Sequence, residues 1–160
     1  MELRRRDGPR GTIRFSDSIA TEASPTDAFE ALADMATLDT WNPNVMSSRR
    51  TRGERLEVGS EYVSTIKRGL LRMRATSRLV ECAPGRRVVY ESNISGFHSI
   101  DGIHFEATAA GTVITFVNES VPPIWLRPLT RLLAASFRPQ ARRAVSGARR
   151  ALEALAQEPS

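Results

Sequence analysis

Two aspartates have the residue type and the pattern position to do chemistry. Polar and apolar residues alternate around Asp17 and Asp101, which predicts strands there and places both carboxylates on the apolar faces. Burial disfavours a charged carboxylate, so either side chain could bind a ligand or act as a general acid or base. Both are candidate catalytic residues. The structural alternative is that they lie near strand ends or pair with arginine.

The same alternation gives the predicted inner faces further polar groups. Tyr62 and Tyr90 would each need a partner for a buried hydroxyl, and either could orient a ligand or hold a developing enolate. Smaller polar residues share this phase: Ser64, Ser77, Ser92, Ser99 and Asn118. A one-residue error in strand phase would turn any of these residues outward.

Several other chemistries are excluded by spacing or composition. His98 and His104 are six residues apart on one predicted strand, roughly 20 Å, which is too far to share a metal ion. Cys82 is the only cysteine, so neither an internal disulfide nor a cysteine metal cluster is possible. The sequence has no glycine-rich phosphate loop, dinucleotide fingerprint or nucleophile elbow. We therefore predict no metal and no cofactor.

The elements that would position these residues are mostly strands. Alternation predicts strands at 12–23, 45–51, 60–67, 71–81, 86–94, 97–108 and 112–121. Tight turns such as Arg68-Gly69 and Ser95-Gly96 join consecutive strands, which is typical of an antiparallel meander.

Two short helices are predicted after the first strand. Ser24 can cap a helix with Pro25 at its first position and Asp27 in its first turn. Asp34 is predicted to end that helix and cap a second short turn. Asn42-Pro43 stops the second helix, because the residue before proline avoids helical angles.

The chain is predicted to close with a long helix over residues 125–156. Its apolar residues recur every three or four positions and form one stripe: Leu129, Leu132, Leu133, Phe137, Ala141, Ala144, Val145, Ala148, Leu152 and Leu155. Pro139 does not interrupt this phase, so we predict one kinked helix. Such a one-sided helix needs a large partner surface, which the sheet can provide.

This order of elements resembles the START-like (SRPBCC) superfamily of helix-grip proteins, and within it the polyketide cyclase/dehydrase and lipid-transport group. The residues that match include Ala23-Ser24-Pro25, Ala28-Phe29, Trp41-Asn42-Pro43, Glu81 with Pro84, Gly111-Thr112 and Leu152-Glu153-Ala154-Leu155. The resemblance implies an α+β fold, in which a curved antiparallel sheet of six or seven strands wraps around the C-terminal helix. It also implies a cavity between them. We expect a loose arm at 1–11 and one domain at 12–157.

The strand and helix phases predict which residues would line this cavity and bind a ligand. On the strands and the long helix these are Phe15, Tyr62, Met73, Tyr90, Phe105, Phe116, Leu129, Leu133 and Phe137. Trp41 and Trp125 are expected at the ends. Each of these residues could instead be ordinary core.

Charge and composition limit the partners. The net charge is +5, but Lys67 is the only lysine among 23 basic residues, a bias that GC-rich coding produces. Exposed aromatics interleaved with basic residues are missing, so no nucleic-acid partner is predicted. No apolar run is long enough to span a bilayer, and no signal core follows the basic N-terminus, so we expect a cytoplasmic protein. The oligomeric state stays open.

Three hypotheses for function remain. The first is a non-enzymatic binder or carrier of a small hydrophobic molecule such as a lipid, polyketide or aromatic compound. The second is a polyketide cyclase or dehydratase in which Asp101 or Asp17 moves a proton while a tyrosine holds the enolate. The third is an interaction module whose basic helix face meets an acidic partner or a membrane.

Overall fold

Seven antiparallel strands form one open sheet in the computed structural model, which describes residues 11–158. Apart from Gly11, the predicted arm at 1–11 lies outside the described residues. The strands are β1 (Ile13–Thr21), β2 (Val45–Arg52), β3 (Glu61–Arg68), β4 (Leu71–Ala83), β5 (Arg87–Ile94), β6 (Phe97–Thr108) and β7 (Gly111–Val121). Their order across the sheet is β1-β7-β6-β5-β4-β3-β2. Every predicted strand is present, and the antiparallel meander is confirmed.

The segment between β1 and β2 crosses the sheet as short helices, because these two strands form opposite edges. Helix α1 (Pro25–Leu32) starts at Ser24, whose hydroxyl accepts a bond from the Asp27 amide at 3.1 Å. Asp34 caps the 3₁₀ turn Met35–Thr37 through the Ala36 amide, and α2 (Leu38–Trp41) follows. Both predicted caps are confirmed.

The C-terminal helix starts later than predicted. Residues Ile124–Leu129 form a 3₁₀ turn, and the α-helix α3 spans Thr130–Gln157. Pro128 explains the difference, since proline has no amide proton to donate and disfavours helical angles at the residue before it. Pro139 lies inside α3 without ending it, as the continuous apolar phase predicts.

Only the second half of α3 is firmly packed. Its buried residues are Val145, Gly147, Ala148 and Leu152. A Cβ atom at Gly147 would overlap the Trp41 carbonyl oxygen, so this glycine allows α3 to touch the end of α2. The Asn44 side-chain amide also donates to the Gln140 carbonyl at 2.7 Å.

The first half of α3 departs from the prediction of a continuously buried stripe. Leu129 and Leu132 are exposed, whereas Leu133, Ala134 and Phe137 are partly buried. Beyond Pro139 the stripe is buried at Val145, Ala148 and Leu152, although Leu155 at its end is exposed.

The closed core lies where α1 and the second half of α3 meet the sheet. Phe29 packs edge-to-face on Phe105 with ring centroids 5.3 Å apart, and Leu32, Ile114 and Leu152 are fully buried beside them. Within residues 11–158 no helix is both long and apolar enough to cross a membrane.

Candidate functional site

A cavity of about 300 Å³ lies between the inner face of the sheet and α3. The first half of α3 and the Pro139 region contribute Ala134, Phe137, Arg138, Gln140 and Ala141 to its wall. Because this half stands away from the sheet, the space beneath it is not filled by side chains. Arg138 lines the cavity and is also exposed to solvent, so the cavity is open to solvent beside α3.

Six of the predicted wall residues line this cavity. They come from strands, α2 and α3, and five of the six are aromatic: Phe15, Trp41, Met73, Tyr90, Phe116 and Phe137. Two ring contacts hold this wall in place. Trp41 packs against Phe116 at 6.2 Å between centroids, and Phe97 packs against Phe137 at 5.6 Å.

The other four predicted wall residues do not line the cavity, which corrects the expectation from phase. Tyr62 and Phe105 lie on the inner face but in the closed core, where Tyr90 and Phe29 cover them. Leu129 is exposed in the 3₁₀ turn, and Leu133 is only partly buried. Phase fixes the face of an element but not which part of that face a neighbouring helix covers.

Trp125, expected at one end of the cavity, is exposed and does not line it. Trp41 lines the cavity while 8% exposed, and its indole nitrogen has no hydrogen-bond partner among the described residues. An indole N–H is a donor only, but this nitrogen is covered by surrounding protein atoms and is not exposed to the cavity.

A row of serine hydroxyls crosses the cavity wall on four adjacent strands. Register pairs Ser77 with Ser92, Ser92 with Ser99 and Ser99 with Ser120. Directly paired residues in antiparallel strands point to the same face, so all four hydroxyls face the cavity. The hydroxyls of Ser77 and Ser92 are hydrogen-bonded at 2.8 Å. Ser120 continues the parity of Asn118, although sequence reasoning did not single it out.

Asp101 stands beside this row, paired with Asn118 across β6 and β7. Its Oδ1 accepts from the Asn118 amide at 2.5 Å, and its Oδ2 accepts from the Ser99 hydroxyl at 3.1 Å. Burial raises the pKa of Asp101 above its ordinary value, although these donors act in the opposite direction. Its predicted inward orientation is confirmed, and it can present either a neutral acid or a carboxylate to a guest.

Asp17 has the predicted phase but not the predicted burial. Its register partner is the cavity residue Phe116, so it lies on the inner-face side of β1. It is nevertheless exposed and does not line the cavity. Since β1 is an edge strand with a neighbour on one side only, inward phase there does not imply enclosure.

The two tyrosine hydroxyls are not free to act on a guest as predicted. Tyr90 donates to the Ala33 carbonyl at 2.8 Å and accepts from the Met35 amide at 3.2 Å, which ties β5 to the end of α1. Burial raises the pKa of Tyr90, which opposes any acid role. Tyr62 makes no well-formed hydrogen bond to a described residue and lies outside the cavity wall.

Sequence reasoning also missed the cationic end of the cavity. Arg68 and Arg138 line it, and the Arg68 guanidinium lies 4.3 Å from the centroid of the Phe137 ring. In the sequence Arg68 lies in a predicted turn and Arg138 falls outside the apolar stripe of the predicted helix, and no spacing rule places either residue here. No group of three or more His, Cys, Asp or Glu side chains that could hold a metal ion occurs in the described range 11–158.

Comparison with known proteins agrees with this architecture. The family described as polyketide cyclase / dehydrase and lipid transport matches residues 12–158. No curated protein sequence matches the chain.

Three solved structures illustrate the similarity of fold. The di-domain aromatase/cyclase of the steffimycin biosynthetic pathway is 16% identical, with a TM-score of 0.74 over 89% of this chain and 50% of its own. An aromatase/cyclase from Streptomyces sp. R1128 is 12% identical, with a TM-score of 0.73 over 89% of this chain and 94% of its own. A protein from Thermus thermophilus is 15% identical, with a TM-score of 0.73 over 92% of this chain and 99% of its own. At such identities the likeness establishes the helix-grip fold alone.

Proposed function

This chain belongs to the polyketide cyclase/dehydrase and lipid-transport family, and from that premise we propose that it binds a small, mainly apolar molecule in the cavity between the sheet and α3. The observation that carries the proposal is the cavity itself, whose mainly apolar wall contains one row of serine hydroxyls and has Arg68 and Arg138 at its cationic end. Its volume of about 300 Å³ lies at the lower end for small-molecule sites. The cytoplasmic location predicted from the sequence stays a prediction.

The polar groups of the wall indicate what kind of guest fits. The serine row and Asp101 are neutral or only conditionally charged, because burial raises the pKa of Asp101. An apolar ring or chain that carries carbonyl or hydroxyl groups would satisfy these donors and acceptors, whereas a plain hydrocarbon would leave them unpaired.

Binding of a neutral lipophilic fluorophore tests the cavity. N-phenyl-1-naphthylamine should bind with enhanced emission, and Phe137→Arg should weaken binding at least tenfold, because the longer charged side chain enters the apolar wall beside Arg68. Ala135→Arg is the matched control, since Ala135 is exposed on the same helix outside the wall. Equal affinity of all three proteins would disprove the proposed site.

A second candidate function is a cyclase or dehydratase reaction on a poly-β-ketone or similar ring precursor. Asp101 is the observation that favours it, as a carboxyl group with a raised pKa in the wall of an apolar cavity. As a neutral acid it could protonate a carbonyl oxygen, and as a carboxylate it could remove an acidic proton between two carbonyls. Serine hydroxyls replace the tyrosines as candidate donors to the enolate.

Asp101→Asn separates the two functions. Asparagine keeps the shape and can still accept from Asn118, but it cannot exchange a proton. If the protein is an enzyme, turnover of a poly-β-ketone substrate should fall by roughly 100-fold or more, while fluorophore affinity stays close to that of the unaltered protein. Turnover that survives this substitution would exclude Asp101 as the acid or base.

A further inference from the structure

Four large apolar side chains are exposed in succession where the chain enters α3. Ile124, Trp125, Leu129 and Leu132 have exposed fractions of 76%, 74%, 48% and 68%. Exposed apolar residues are ordinary when scattered, but a contiguous group of this size marks a contact surface.

The turn between β3 and β4 extends the same surface. Leu70 at its tip is fully exposed and Leu71 is 66% exposed. Arg68 connects this turn to α3, since its guanidinium donates to the Ser136 hydroxyl and lies over the Phe137 ring. Leu132 is one helical turn before Ser136 on the same side of α3, so the two exposed groups are neighbours. We call Leu70, Leu71, Ile124, Trp125, Leu129 and Leu132 the apolar rim.

The chain around the apolar rim is cationic. Residues 120–152 contain seven arginines and no acidic residue, and residues 62–80 contain five basic residues and no acidic one. Arg127 and Arg131 alternate with rim residues along the chain and are exposed. Neither forms an ion pair with a described residue. The rim therefore combines apolar groups with unneutralised positive charge.

We propose that the apolar rim docks the protein on the surface of a bilayer that contains anionic lipids. Tryptophan and leucine favour the boundary between headgroups and acyl chains, and arginines beside them attract anionic headgroups. The rim residues sit on two separate projections, a hairpin turn and a helix start. A fluid interface can accept both without shape complementarity, whereas an acidic protein would have to offer two matched pockets.

The position of the rim makes docking useful to a ligand-binding protein. Phe137 and Arg138 follow the rim residue Leu132 by a little more than one turn of α3, and both line the cavity. Docking would therefore hold the opening beside α3 close to the bilayer surface. The inference goes beyond ligand binding and does not depend on it, since vesicle binding is measured without any guest.

Vesicle binding tests this surface directly. Full-length protein is mixed with phosphatidylcholine vesicles that contain or lack phosphatidylglycerol, and bound protein is measured by co-sedimentation and tryptophan emission. Trp125 is exposed and Trp41 is buried, so a blue shift on binding reports Trp125. We expect binding and a blue shift with the anionic vesicles only, both weakened by salt.

Two charge-reversal pairs locate the contact. Arg127→Glu with Arg131→Glu should lower the partition coefficient at least tenfold, because each arginine near an anionic surface contributes several-fold to binding. Arg149→Glu with Arg150→Glu changes the net charge equally, on the packed half of α3, and should have a much smaller effect.

Trp125→Ser should weaken binding and remove the blue shift, while Val58→Ser, at an exposed apolar position in the β2–β3 loop, should not.

Three outcomes would overturn the proposal. One is no binding to anionic vesicles. Another is an equal loss from both arginine pairs, which would mean unspecific attraction. The third is binding to poly-glutamate, but not to vesicles, with the same dependence on Arg127 and Arg131, which would assign the rim to an acidic protein. Thermal unfolding curves of the variants, all at exposed positions, verify that each protein is folded.

Discussion

Asp101 is the residue at which burial and hydrogen bonding oppose each other. Asn118 and Ser99 donate to its two oxygens, which favours the carboxylate, but desolvation has the larger effect and raises its pKa. Its accessible surface faces the cavity, so a guest would change this balance directly.

The raised pKa of Asp101 predicts how stability depends on pH. The folded protein binds this proton more tightly than the unfolded chain, so stability falls as pH rises from about 4, the ordinary carboxyl pKa, through the higher folded pKa. Asp101→Asn removes this decline. We expect the free energy of unfolding, measured by urea denaturation at pH 4 to 8, to decrease less with rising pH in this variant than in the unaltered protein. Parallel curves would show that Asp101 does not titrate as stated.

The tyrosine pair gives a second prediction. Tyr90→Phe leaves the Ala33 carbonyl and the Met35 amide without their partner, so we expect a loss of about 1–3 kcal/mol. Tyr62→Phe removes a buried hydroxyl that makes no well-formed bond to a described residue, so it should be neutral or stabilising. Urea unfolding of both variants measures the difference. Equal losses would mean that the Tyr62 hydroxyl has a partner of similar value.

At the scale of elements, α3 consists of two parts with different surroundings. Beyond Pro139 it is held by Gly147 against Trp41, by Asn44 at Gln140 and by buried Val145 and Leu152. Before Pro139 its side chains line a cavity or face solvent. Proline removes one helical hydrogen bond at this boundary, so a difference in packing coincides with a weak point in the helix.

Gly147 tests this packing. Alanine is normally favoured over glycine in a helix by about 1 kcal/mol, but a Cβ here would overlap the Trp41 carbonyl oxygen and lie 2.8 Å from Pro43 Cδ. Backbone cannot yield as a flexible side chain can, so Gly147→Ala should destabilise by roughly 1–3 kcal/mol. Ser146→Ala, at the exposed neighbouring position, should be neutral or slightly stabilising. A stabilised Gly147→Ala protein would contradict the close contact of α2 and α3.

At the scale of the whole molecule, the cavity exists because helices cover one part of the inner face of the sheet closely and leave another part uncovered. The closed core anchors α1 and the second half of α3, whereas the first half of α3 spans the unfilled part. Such a molecule carries unfilled apolar surface, which a guest can cover without rearranging the core.

Guest binding should therefore stabilise the fold by mass action. At 100 times its dissociation constant, a guest specific for the folded state adds about 2.7 kcal/mol, and we expect N-phenyl-1-naphthylamine to raise the Tm by roughly 5–10 °C. Phe137→Arg should show no comparable increase at the same concentration. An equal increase in both proteins would place the fluorophore elsewhere.

The elements and their faces followed from the sequence because they depend on local rules. Alternation, the Ser24 and Asp34 caps and the glycine turns act over a few residues, so all seven strands and the inward phase of Asp101 and the serines were predictable. The resemblance to the helix-grip superfamily then supplied the way in which the sheet and helix pack.

Only the tertiary structure decided where on those faces the cavity lies. Tyr62 and Phe105 share the phase of Tyr90 and Phe116, but Tyr62 is covered by Tyr90 and Phe105 by Phe29 of α1, so both lie in the core, outside the cavity wall. Asp17 has the phase of Asp101, but it is exposed on an edge strand. Enclosure depends on the area that distant elements cover, a long-range property that residue periodicity does not encode. For the same reason the close approach at Gly147 and the exposed rim before α3 appeared only in the folded molecule.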